Sequence, residues 1–101
     1  MSALPIAIPK EFLESFCVRN HIRKLSLFGS ALTSRFRPES DVDMLVEFEE
    51  DARPTLLTLA RLERELSDTM GRKVDLRMPG DLSRYFRAKV IAEALPQYER
   101  A

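Results

Sequence analysis

The run from Asp41 to Glu49 constrains the fold of this chain more than any other segment. Val42, Met44, Val46 and Phe48 fall on one side of a two-residue alternation, and Asp41, Asp43, Leu45 and Glu47 fall on the other. That is the pattern of a strand with one apolar face. Aspartate is disfavoured in strands, yet Asp41 and Asp43 flank Val42 at the head of this one and project from the same side. At about 3.3 Å of rise per residue their α-carbons fall about 7 Å apart. A strand of this kind needs a sheet with a core on one face and a place for converging charge on the other.

The neighbouring segments supply that sheet. Lys24 to Phe28 alternates and ends at Gly29, which reads as a strand running into a sharp turn. Arg72 to Met78 alternates again, with Val74, Leu76 and Met78 opposite Lys73, Asp75 and Arg77, before Pro79-Gly80 breaks it. Between the later strands, Leu56, Leu59, Leu62, Leu66 and Met70 make a helical stripe, with Pro54 suited to the first turn and Gly71 to the stop. Earlier, Phe12, Leu13, Phe16 and Cys17 mark a short amphipathic helix over 10–20. A last helix is expected after Asp81 as N-cap, with Tyr85, Phe86, Val90, Ile91, Ala94 and Leu95 on its buried side and Pro96 near its end. No repeat or linker interrupts the order. Residues 1–101 are therefore expected to form a single α+β domain, a small mixed β-sheet with helices packed on it.

Composition narrows the function. Hydrophobic residues make up 45% of the chain and charged residues 32%, as in soluble globular proteins. Sixteen basic residues balance sixteen acidic ones, so no overall positive field favours direct binding of nucleic acid. Cys17 is the only cysteine, which excludes an internal disulfide and a thiolate metal cluster and fits a reducing compartment, with the cytoplasm as the default. No apolar run approaches the roughly 20 residues that span a bilayer.

Asp41 and Asp43 on one face repel unless a cation lies between them, and hard carboxylate oxygens suit Mg²⁺. Asp75 adds a third carboxylate if its strand pairs beside theirs. Such a set can hold two metal ions that bind the attacking and leaving oxygens of a phosphoryl displacement, and Asp75 can accept the nucleophile's proton. Gly29-Ser30 at a strand end supplies a phosphate site: glycine lets backbone approach a phosphate, and the Ser30 hydroxyl can donate to one. Each signal alone has an ordinary reading, Gly-Ser as a turn and Asp-x-Asp as solvated surface. Their combination in this order points to nucleotidyl transfer.

The sequence Leu27-Phe28-Gly29-Ser30, followed after ten residues by Asp41-Val42-Asp43, resembles the minimal nucleotidyltransferases of the DNA polymerase beta superfamily. The likeness extends through Gly71-Arg72-Lys73-Val74-Asp75-Leu76 to the closing 91–99 segment. It implies a polymerase beta-like fold, Asp41, Asp43 and Asp75 as metal ligands and catalytic carboxylates, and Gly29 and Ser30 as the triphosphate site. It also implies two magnesium ions, ATP as substrate, and the antitoxin half of a pair in which AMP passes to a tyrosine of a HEPN-type ribonuclease toxin. Many relatives carry Arg-x-Arg-Gly after the Gly-Ser; here Ala31-Leu32-Thr33-Ser34 stands instead. Arg35 and Arg37 either reach back toward the triphosphate or are solvated loop charges.

A non-catalytic antitoxin that neutralises its partner by occlusion is the alternative reading. Transfer to a small molecule ranks below both, because those enzymes use an added helical domain to build the acceptor pocket. His21, the only histidine, reads as a helix-end residue and not as part of a Ser30–His21–Asp triad. Tyr85 and Phe86 read as core, while Arg84, Arg87 and Lys89 read as a solvated helix face.

Overall fold

A computed structural model of the chain describes residues 8–32 and 41–100. Helix α1 (Lys10–Arg19) leads into strand β1 (Ile22–Phe28), and a 3₁₀ turn (Gly29–Leu32) ends that strand. Strand β2 (Val42–Phe48), helix α2 (Leu56–Met70) and strand β3 (Val74–Arg77) follow. A second 3₁₀ turn (Pro79–Asp81), helix α3 (Arg84–Glu93) and strand β4 (Leu95–Glu99) complete the order. The strands form one mixed sheet in the order β3-β2-β1-β4, with β1 antiparallel to β2 and β4, and β2 parallel to β3. The small mixed sheet expected from the sequence is present. Parallel neighbours need a crossover, and α2 provides it.

The core fills one face of the sheet. Ile22, Leu25 and Leu27 of β1, Val42, Met44 and Val46 of β2, and Val74 and Leu76 of β3 pack with Leu13, Phe16 and Cys17 of α1 and Leu62 and Leu66 of α2. Burying each large apolar side chain contributes about 1.5–3 kcal/mol, and Phe12 stacks on Phe16 at the rim, ring centroids 5.4 Å apart. The opposite face carries Lys24, Ser26 and Phe28 of β1, Asp43, Leu45 and Glu47 of β2, and Asp75 and Arg77 of β3. Its centre is covered too, since the register partners Ser26 and Leu45 are buried.

Local chemistry explains where the helices stop. Asn20 closes α1, its backbone N–H and its side-chain Nδ2 both donating to the Phe16 carbonyl, and His21 then turns the chain at a positive φ of 56°. Gly71 ends α2 in the left-handed conformation that the sequence predicts, φ 68°. The start of α2 differs from expectation: Thr55, not a first-turn Pro54, is the N-cap, its hydroxyl accepting from the Thr58 N–H at 3.2 Å. Leu56, placed in the apolar stripe by its spacing, lies in the first turn beyond the sheet and is 85% exposed.

The C-terminal segment departs most from the sequence reading. Ser83 caps α3, while Asp81 caps the preceding 3₁₀ turn, its carboxylate accepting from the Met78 N–H at 3.1 Å. No residue of α3 is buried, and Tyr85 and Phe86 are 80% and 62% exposed, so they are not core. Instead Phe86, Lys89, Val90 and Glu93 of the helix line a cavity together with Phe28, Gly29 and Leu32. Arg87 is no solvated charge either. Its Nε donates to the Pro79 carbonyl at 2.8 Å and its Nη2 to the Leu82 carbonyl at 3.0 Å, which ties α3 to the turn before it. Leu95 belongs to a fourth strand, which tolerates Pro96 because β4 is the edge of the sheet.

Candidate active site

The topology lines up the residues that matter. Phe28 of β1 is the register partner of Asp43 in β2, and Asp43 is the register partner of Asp75 in β3. All three therefore lie side by side on the second face, each strand about 4.8 Å from the next. Asp43 and Asp75 are both half-buried.

Gly29 is fitted to this row. It adopts φ 72°, a conformation glycine takes without strain, and a β-carbon at this position would stand 2.5 Å from Oδ2 of Asp43. The carboxylate thus rests against bare backbone at the strand end. Ser30 follows as the second residue of the Gly29–Leu32 turn. Arg35 and Arg37 lie outside the described residues.

Asp41 sits at the entrance of β2, exposed, with its Oδ2 3.9 Å from Nζ of Lys73. An ion pair this open contributes about 0–1 kcal/mol. The structure thus brings Asp43 and Asp75 to adjacent positions and leaves Asp41 at the edge of the row. Among the described residues no group of three or more His, Cys, Asp or Glu side chains is gathered closely enough to hold a metal ion.

Several contributors escape sequence reading. Arg77, two residues along β3 from Asp75 and on the same face, donates from Nη2 to Asp75 Oδ2 at 3.2 Å. That hydrogen bond and the charge of Asp75 raise the pKa of the Arg77 guanidinium, desolvation opposes them, and the charges of Asp43 and Asp81 add lesser upward contributions. Two side chains of α2 fasten β3 from its outer edge: Ser67 Oγ accepts from the Val74 N–H at 2.9 Å, and Glu63 Oε2 accepts from the Leu76 N–H at 2.7 Å. These bonds flank Asp75. Their only trace in the sequence is a polar pair four residues apart beside the leucine stripe. Cys17 is buried in the core, and burial pushes its thiol up to about 12.

No helix among the described residues is long and apolar enough to cross a membrane. Comparison with known proteins agrees with the geometry. The nucleotidyltransferase domain family matches residues 9–98. Protein adenylyltransferase MntA of Thermococcus cleftensis is 37% identical over 86 residues, covering 85% of this chain and 81% of that protein. A solved structure assigned as a minimal nucleotidyltransferase is 37% identical, with a TM-score of 0.71, covering 86% of this chain and 87% of its own. A toxin–antitoxin structure with AMP-PNP shares the fold at a TM-score of 0.72 and 17% identity, covering 92% of this chain and 75% of that one. The mixed sheet is thus that of a minimal nucleotidyltransferase, and the chain belongs to the nucleotidyltransferase domain family.

Proposed function

We propose that this protein transfers AMP from ATP, with magnesium, to a tyrosine of a partner HEPN-type ribonuclease toxin, and so serves as its antitoxin. The observation that carries the proposal is the register of Asp43 with Asp75 beside Gly29. Support for the acceptor class comes from relatives: one is named a protein adenylyltransferase, and a fold neighbour is a complex of MntA with HepT.

The donor set suits the cation. Mg²⁺ is usually held by one or two carboxylates together with substrate phosphates, and Asp43 and Asp75 offer adjacent carboxylates on one face. Asp43 and Asp75 would hold it together with the substrate phosphates, Asp41 at the entrance of β2 would complete the set only with its side chain turned toward them, and the ion would neutralise the charge that develops on the phosphates. Gly29 and Ser30 would take the triphosphate: without a β-carbon the Gly29 backbone lies against the Asp43 carboxylate, so phosphates held at this turn would stand beside the proposed metal ligands. The acceptor tyrosine oxygen then forms a bond to the α-phosphorus. The bond from that phosphorus to the α–β bridging oxygen breaks and pyrophosphate leaves. Asp75 takes the phenolic proton.

The test is to incubate the protein with its partner, magnesium and ATP labelled at the α-phosphate, and to map the label. AMP on a partner tyrosine, with loss of ribonuclease activity in step, is the expected result. Full neutralisation by a variant lacking all three carboxylates would replace this reading with occlusion.

A further inference from the structure

A cavity of about 640 Å³ opens between Phe28 and Gly29 on one side and Phe86, Lys89, Val90 and Glu93 of α3 on the other. Small-molecule sites commonly measure roughly 300–1,000 Å³ and pair an apolar lining with a few polar groups. We infer that this cavity takes the purine base of the nucleoside triphosphate. The inference rests on the proposed reading of Gly29 as the phosphate site.

Position favours the nucleotide over the acceptor. The cavity begins at Gly29, at the end of β1, whereas Asp75 lies two strands away, about 10 Å at the usual strand spacing. In an in-line displacement the nucleophile enters opposite the leaving pyrophosphate, so an acceptor served by Asp75 arrives from the β3 side. A ligand held beside Gly29 is therefore on the donor's side of the row and not on the side from which the acceptor arrives.

The lining fits a flat heterocycle. Phe28 and Phe86 supply aromatic faces, and stacking on such faces holds any purine. Lys89 and Glu93, one helical turn apart on α3, place a donor and an acceptor on the same wall, where the edge of a purine presents both. The exposure of Phe86, 62% on a helix with no buried residue, then has a use: the ring is kept out of the core for a ligand.

Calorimetric titration of the full chain with MgATP, MgCTP and inorganic triphosphate tests this. Phe86→Ala, which removes no core contact, is expected to weaken MgATP binding about tenfold or more. It should leave inorganic triphosphate unchanged and narrow the preference of ATP over CTP, while Phe86→Tyr restores wild-type affinity. Unchanged ATP affinity in Phe86→Ala overturns the inference, as does an equal loss of ATP and triphosphate, which would tie Phe86 to the phosphate site. If Phe86→Ala keeps ATP and loses the protein partner, the cavity belongs to the partner and the inference also fails. A wild-type protein that binds neither ATP nor triphosphate overturns the proposed function itself.

Discussion

The helices α2 and α3 look alike in sequence, each a short amphipathic run beside a strand, yet the molecule uses them in opposite ways. Leu62 and Leu66 of α2 are buried in the core, and its polar Glu63 and Ser67 bond the backbone of β3. By contrast α3 buries nothing and is held by Arg87 to the turn before it. One helix holds the aspartate strands in place; the other borders the cavity beside them. An apolar stripe therefore reports that a surface will be covered, not that the core covers it.

This contrast can be broken experimentally. The largest effect is expected from Leu62→Ala, which removes a fully buried side chain of α2 and should cost about 2–5 kcal/mol in denaturant unfolding. Glu63→Ala should come next. It strips the acceptor from the Leu76 N–H, with a loss of about 1–3 kcal/mol, and should slow AMP transfer, because the bond lies one residue from Asp75. Glu63→Gln keeps an acceptor and should recover most of both, which separates a positioning hydrogen bond from a need for charge. Tyr85→Ala on α3 should change unfolding free energy by no more than about 0.5 kcal/mol, despite removing an aromatic ring. A large loss there would show that α3 is part of the core after all.

Much of this arrangement was legible before the structure. The alternation of 42–48, the leucines of α2 and the stop at Gly71 are strictly local patterns, and each element formed where its period placed it. Asp43 and Asp75 were legible as a pair only on the condition that their strands were neighbours, and the parallel register supplies that condition. The strand β4 was hidden because Pro96 reads as the end of a helix, and only an edge position makes it a strand residue. The exposure of Tyr85 and Phe86 was hidden for a related reason: helical periodicity marks a common side and says nothing of what lies opposite. The bonds from Glu63, Ser67 and Arg87 depend on distances between elements, which no spacing along the chain encodes.

The proposed chemistry rests on the row formed by Gly29, Asp43 and Asp75. Its most direct test is the initial rate of AMP transfer from labelled ATP by Asp43→Asn, measured beside the melting temperature of the same variant. Asparagine keeps the shape of the side chain that rests on Gly29 and removes its charge. The prediction is a rate at least about a hundredfold lower with the fold intact. Transfer at the wild-type rate by a folded Asp43→Asn protein would contradict it.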